Sequence, residues 1–304
     1  MKKFLLLVLF FAVSTGFYAQ SKEKDELFNK IAKLTQKKKP EEIDKAYQLS
    51  KEFLAKFGND TDEKTKKIQE FVLNYRLMKF NQLLNQAKIK EAIPYGKEIL
   101  ESDPENSYVT MNIAYAGYEL YTKNQDKSLA KEATEYAAKT IQLFQNGKLP
   151  KEFAPFKDKD EAEALMHYVI ATFAVDSDIK QAAKHFYQSI QFNSQIKTQF
   201  YPYYVIAFYY EKLYENSIKE LNQKPEIKPD DESKIREKIN TIIDRMIDAY
   251  ARAVKLSENM DNPLKVELRN RLIEAYKFRH QTEKGIEEYL SKVVNTPMPD
   301  PMGI

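Results

Sequence analysis

Histidine offers the most versatile chemistry near neutral pH, and this sequence has three of them. His167 and His185 are predicted on two consecutive helices, at similar distances from the turn at Asp176-Ser177, so their side chains could approach each other. Two imidazoles can bind a metal or move a proton, but a zinc site normally takes a third protein ligand, and no carboxylate is obviously placed to supply it. A packed or surface pair is the favoured interpretation, and His280 falls at a predicted turn.

The other residues that could do chemistry point away from an enzyme. Cysteine is absent, which excludes disulfides, thiol catalysis and a cysteine-linked lipid anchor. The phosphate-binding loops, the HExxH zinc motif and the nucleophile elbow are absent as well. Adjacent carboxylates stand at predicted helix starts or on polar faces, where they face water or the positive end of a helix dipole: Glu41-Glu42, Asp230-Asp231 and Glu287-Glu288. We therefore expect no catalytic residue, no metal ligand and no cofactor.

A stripe of aromatic residues favours binding over catalysis. Tyr108, Met111, Tyr115 and Tyr118 recur at i, i+3, i+7 and i+10, which places them on one face of a helix. Tyrosine offers a large rigid contact area and a hydroxyl group, and both suit the recognition of a peptide. The same stripe could pack against a neighbouring helix, and the sequence leaves both interpretations open.

The composition is typical of a helical protein without a nucleic-acid partner. Among 304 residues there are only 7 glycines, and 31% of the residues are charged. The formal net charge of +3 includes Lys2 and Lys3, so the rest of the chain is close to neutral. Nucleic-acid binding rewards clustered cations, and the balance here does not supply them.

Residues 1–19 have the order of a secretory signal peptide. Two lysines precede an apolar run from Phe4 to Val13, and small and polar residues follow. The run is shorter than a membrane span of roughly 20 residues, so we expect cleavage after Ala19, with an uncleaved anchor as the alternative. The expected location is the periplasm or the periplasmic face of the outer membrane, with no later transmembrane span.

Apolar periodicity and helix-boundary residues predict helices along the rest of the chain. The predicted helices are 21–35, 40–57, 61–87, 91–102, 107–122, 128–144, 160–175, 178–192, 197–221, 233–257, 263–280 and 283–294. Residues 146–159 contain Gly147, Pro150 and Pro155 and form the clearest break, which separates N-terminal hairpins at 20–145 from C-terminal hairpins at 160–294. The proline-rich residues 295–304 are predicted to form a mobile tail.

A pattern of small and aromatic residues returns at an interval of 34 residues, with one repeat beginning at Leu73 and the next at Ser107. The recurring positions are Ala92, Ile99-Leu100 and Asp103-Pro104; Asn112-Ile113-Ala114, Tyr118 and Ala133; Ala182, Phe186 and Ile190-Gln191-Phe192-Asn193; and Leu272, Ala275-Tyr276, Ile286, Tyr289 and Pro297. Small residues let the two helices of a hairpin approach closely, and the bulky residues fill the gap to the next hairpin. The pattern resembles the tetratricopeptide repeat, a helix-turn-helix unit. This resemblance implies an all-α fold, a right-handed α-solenoid of about six hairpins.

In the proteins that this chain resembles, the first helix of each hairpin lines a concave surface. Carried over by position, the resemblance implies a partner-binding groove at Asn81, Tyr108, Met111, Tyr115, Tyr118, His167, Tyr203 and Tyr210. Some members hold a C-terminal carboxylate between basic side chains and two asparagines. Asn81 and Asn112 match the asparagines, but Leu77, Ala164 and Tyr168 replace the basic residues, so a carboxylate clamp is not expected.

These observations favour a non-enzymatic scaffold or adaptor in the cell envelope, which binds a segment of another envelope protein on the concave face of a solenoid. Peripheral association with a membrane complex is compatible with this interpretation. The first alternative is a periplasmic protein that captures a small molecule or glycan with its tyrosine-rich helices. The least favoured alternative is a metal-dependent enzyme built on His167 and His185.

Overall fold

The computed structural model describes residues 21–223, 229–259 and 263–304, so the expected signal peptide lies outside the described residues. Within these ranges the fold is all-α, as the sequence predicts, with twelve α-helices and no strand. The helices are α1 (21–36), α2 (Pro40–Phe57), α3 (Glu63–Asn85), α4 (Ile89–Ser102), α5 (Ser107–Asn124), α6 (Ala130–Gln145), α7 (Lys159–Ala174), α8 (Ile179–Ser189), α9 (Phe200–Gln223), α10 (Pro229–Ser257), α11 (Leu264–His280) and α12 (Ile286–Val293). None of the helices in the described ranges is long and apolar enough to cross a membrane.

Short polar side chains fix several helix starts. Asp62 accepts hydrogen bonds from the backbone N–H groups of Lys64 and Thr65 at 2.9 and 3.1 Å. Asp158 and Asp178 each accept one at 3.0 Å from the residue three positions further on. Such caps pair N–H groups that have no partner inside the helix, and each contributes about 1 kcal/mol to stability.

The helix bounds lie close to the predicted ones, with two differences near prolines. The helix predicted at 197–221 is preceded by a short 3₁₀ helix, Gln195–Thr198, and α9 itself carries Pro202 in its first turn. A proline is tolerated there because the first N–H groups of a helix have no partner inside it. The helix predicted from Ser233 begins earlier, at Pro229.

The described residues form two compact units, one within 21–104 and the other within 105–304. In the first unit, α3 packs against both α2 and α4. The core of this first unit includes the fully buried Phe53 and the stacked rings of Tyr47 and Tyr75, whose centroids lie 4.0 Å apart. The Tyr75 hydroxyl donates to Asp44 at 2.7 Å, so a polar contact closes the edge of this core.

The second unit is built from helices that pack against their neighbours in the chain. From α5 to α11, each helix packs against the next; α5 also contacts α7, and α10 also contacts α12. Residues 146–158 connect α6 to α7 inside this unit, and the two helices pack directly together. The predicted break is therefore a connection within one unit.

The C-terminal residues pack onto the second unit, where the sequence predicts a mobile tail. Met298 and Pro301 are buried. The Arg252 guanidinium donates to the carbonyl and hydroxyl oxygens of Thr296 at 2.8 and 3.1 Å. Arg252 is itself buried and pairs with Asp248 at 2.7 Å, so a buried cation connects the tail to α10.

Candidate functional site

The stripe predicted on α5 divides between the core and the surface. Met111 is fully buried among residues of α6 and α7, whereas the tyrosines of the stripe are partly buried. The ring centroid of Tyr115 lies 5.2 Å from that of Phe156, and that of Tyr118 lies 5.9 Å from that of Tyr168, both edge to face. Burial and a hydrogen bond to Glu119 raise the pKa of Tyr115 to about 12.

The two asparagines considered for a carboxylate clamp lie in different units. Asn81 is partly buried on α3 in the first unit. Asn112 is buried on α5, and its side-chain amide donates to the backbone carbonyls of Tyr108 and Ala154 at 2.9 and 3.3 Å. An amide held in this way is not available to a carboxylate ligand.

Tyr203 and Tyr210 lie in the core of the second unit. The hydroxyl group of Tyr203 donates to the backbone carbonyl of Lys197 at 2.9 Å. Tyr210 is fully buried, and its hydroxyl group has no hydrogen-bond partner among the described residues. Burial raises the pKa of both phenols. Tyr210, like Met111, fills the interior, whereas Tyr203 also lines a cavity of about 340 Å³ beside the C-terminal residues Pro297 and Met298.

His167 and His185 meet in the structure. Their Nδ1 atoms lie 2.9 Å apart, and the ring of Phe192 stacks on His167 with centroids 5.9 Å apart. Gln181 Nε2 lies 3.1 Å from His185 Nε2, so His185 contacts a side chain through each of its ring nitrogens. Burial lowers the pKa of His167 to about 3 and that of His185 to about 4, with nearby Lys184 contributing to both.

The histidine pair is therefore neutral at neutral pH, and its inner nitrogens bond to each other. Among the described residues, no group of three or more His, Cys, Asp or Glu side chains is placed to hold a metal ion. His167 is nearly inaccessible on α7, at 6% exposure. Within the part of the chain that the structure describes, the pair has the geometry of a packing contact between α7 and α8.

An open groove of about 940 Å³ lies between α9, α10 and α11, and it was not among the sites predicted from the sequence. Both α9 and α11 pack against α10, whose Ile243 and Met246 contribute to the groove lining between them. Arg271 of α11 donates to both carboxylate oxygens of Glu211 of α9 at 2.9 Å. The hydroxyl group of Tyr250 donates to the same carboxylate at 2.6 Å, so this ion pair holds α9 and α11 at a fixed separation. We call this feature the α11 groove.

The α11 groove exposes two large apolar side chains. Val266 is 64% exposed and Phe278 is 58% exposed. The Phe278 ring meets the edge of Tyr214 across the groove, with centroids 6.0 Å apart. A different side of α11 is fully buried at Leu268 and Leu272. Helix α11 therefore carries large apolar residues on two sides, one against the core and one among the polar residues that face the open groove.

The sequence did contain a signal for this groove, although a weak one. At about 100° per residue, Leu268 and Leu272 lie about 40° apart and mark the core side of α11. Val266 and Phe278 lie outside that sector, together with Glu267. Large apolar residues outside the side of a helix that packs on the core indicate a candidate contact surface. The sequence shows them only once the core-facing side has been identified.

No protein-family model matches this chain, and no curated protein matches it. The structure establishes that the described residues form an all-α protein. A function is therefore inferred from the geometry of its surface.

Proposed function

We propose that this protein is a non-catalytic adaptor that binds a segment of a partner protein, and that the α11 groove holds this segment. The observation that carries the proposal is the exposure of Val266 and Phe278 beside an open apolar floor. Large apolar side chains that remain exposed along one groove lose contact with water when a partner binds, and this loss drives association.

The packing order of the second unit supports a tetratricopeptide-type solenoid as the scaffold. Each helix packs against the next, and α5 also contacts α7, as expected when hairpins stack. Gly117 of α5 faces Ala133 of α6, so small residues lie where two helices of one hairpin approach closely. The right-handed solenoid of about six hairpins is part of the proposal.

The proposed location is the periplasm or the periplasmic face of the outer membrane, on the basis of residues 1–19. The partner is then another envelope protein. Tyr108, Tyr115 and Tyr118 remain candidates for a second contact on α5, because each keeps part of its surface accessible. Capture of a small molecule is less favoured, because Tyr210 is fully buried and the cavity that Tyr203 lines is about 340 Å³, at the lower end of the range for ligand pockets.

Site-specific photocrosslinking in envelope fractions tests this function. A photoreactive amino acid replaces Val266 in one variant and Leu149 in a control, since Leu149 is also exposed (48%) but lies outside the groove. We expect a discrete crosslinked partner from position 266 only, and we expect Phe278→Ser in the same chain to weaken it. Equal crosslinking at both positions from a folded protein would count against the proposal.

A further inference from the structure

The α11 groove is acidic as well as apolar, and this combination restricts what it can hold. Four glutamates line it, Glu211, Glu215, Glu267 and Glu274, against one cation, Arg271, which leaves a net charge of −3 on the lining. We infer that the partner segment is a basic amphipathic helix; this inference rests on the proposed function and specifies the ligand of the same groove.

The single cation is already neutralised within the protein. Arg271 contacts Glu211 at 2.9 Å and Glu267 at 2.9 Å. Glu215 pairs with Lys212 at 3.0 Å, but both side chains are exposed, and such a pair is easily exchanged. Glu274 is exposed and has no ion-pair partner among the described residues. Carboxylates therefore remain available to lysine or arginine side chains of a ligand.

The two exposed apolar residues of α11 mark a length of groove that matches a short helix. Val266 and Phe278 are twelve residues apart on α11, which corresponds to about 18 Å along the helix axis. A bound helix of about three turns spans this distance and presents an apolar side chain to the groove every three or four residues. Met246 in the lining is unbranched and adapts its shape to such side chains.

Two simpler cationic ligands use only part of the groove. An extended polybasic segment would meet the glutamates but would leave Val266 and Phe278 exposed to water. A small organic cation would need aromatic rings around it, whereas Tyr214 and Phe278 meet edge to face and stand at an open surface. A ligand with one cationic side and one apolar side satisfies both features of the groove at once.

Fluorescence anisotropy with designed peptides tests the inference on the full mature chain. The first probe is a labelled peptide of leucine and lysine, about four turns long, patterned as an amphipathic helix. The second has the same composition in a scrambled order, and the third replaces lysine by glutamate. We expect the first peptide to bind at least about tenfold tighter than either of the others, with an affinity that falls as salt rises.

Variants locate the binding in the groove. We expect Glu274→Lys to weaken the first peptide about fivefold and Phe278→Ser to weaken it about tenfold. The matched controls are Glu135→Lys on α6, an exposed charge reversal, and Leu149→Ser, an exposed apolar truncation, and both should leave the affinity unchanged. Because all four side chains are exposed, the variants should fold, and circular dichroism verifies this.

Equal binding of the scrambled peptide, or no effect of Glu274→Lys, would overturn the basic-helix inference. The two proposals can fail separately. If position 266 crosslinks a partner while the basic peptide does not bind, the adaptor function stands and the basic-helix inference falls. If the peptide binds in the groove while no envelope partner crosslinks, the chemistry of the groove stands and the proposed cellular function falls.

Discussion

At the scale of single residues, the histidine pair shows how burial changes the chemistry of a group. His167 and His185 share an Nδ1–Nδ1 hydrogen bond of 2.9 Å, which requires the accepting ring to be neutral. A positive charge on either ring would be unfavourable, because both rings are largely removed from water and lie near the positive charge of Lys184. Protonation therefore opposes the packing of α7 on α8.

This pair should make stability depend on pH. The pKa values of His167 and His185 in the folded state, about 3 and about 4, lie below the ordinary value of 6.5. The unfolded chain therefore takes up protons first as pH falls, so stability is retained above 6.5 and lost on the way to about 4. The buried His167 alone contributes about 2 kcal/mol between about pH 7.5 and about pH 5, so we expect the free energy of unfolding to fall by at least this amount.

Urea denaturation at the two pH values measures this loss, with a variant that carries His167→Gln and His185→Gln as the comparison. Glutamine keeps a hydrogen-bonding side chain at both positions but does not titrate. The variant should lose clearly less stability over the same interval. An identical loss in both proteins would show that other groups cause the pH dependence.

The aromatic stripe on α5 shows how much helical spacing can predict about single side chains. Helical spacing correctly placed Tyr108, Met111, Tyr115 and Tyr118 on one helix, but it could not separate core from surface. The structure buries Met111 completely and leaves the tyrosines partly accessible. Spacing fixes the direction of a side chain around its own helix, whereas burial depends on which other helix lies in that direction.

At the scale of helices, close approach depends on small residues. A Cβ atom added at Gly117 would lie 2.7 Å from the Cβ of Ala133 and 3.2 Å from the carbonyl oxygen of Leu129. Helix α5 can therefore contact α6 at this level only because Gly117 has no side chain. Small residues at such positions of the repeat pattern are needed because a larger side chain would keep the two helices apart.

A double-mutant cycle tests this contact. Gly117→Ala should destabilise the protein by about 1 kcal/mol, because the cost of overpacking exceeds the gain in helix propensity. In the background of Ala133→Gly the same substitution should cost less, with a coupling energy of about 1 kcal/mol from chemical denaturation. Additive effects of the two substitutions would show that the helices adjust without strain.

Helix α11 marks the limit of prediction from periodicity. Its apolar residues lie on two sides, so the sequence pattern does not separate the side that packs on α10 from the side that lines the α11 groove. The groove exists because α9 and α11 both pack on α10 and leave a space between them. No residue of α11 determines that space by itself.

At the scale of the whole molecule, the C-terminal residues contribute to the stability of the second unit. Removal of residues 296–304 would expose the surface around Met298 and leave the buried Arg252 without the oxygens of Thr296. We expect this truncation to lower the free energy of unfolding by about 3 kcal/mol. Removal of the exposed Gly303 and Ile304 alone is the matched control and should change it little.

Hydrogen exchange followed by mass spectrometry measures this effect segment by segment. Peptides from α10 and α12 should exchange faster in the long truncation, because α10 carries Arg252 and α12 precedes the tail. Exchange that matches the short truncation would show that the tail only rests on the surface.

The sequence by itself determined the all-α class, the approximate helix bounds and the proximity of His167 to His185. These features depend on local capping, on periodicity within a helix and on short connections, all of which a single segment encodes. Only the tertiary structure decided that Tyr203 and Tyr210 are buried, that the tail packs, and that an acidic apolar groove opens beside α11. Each of these depends on the surface that another helix presents, and that surface exists only after the helices have packed.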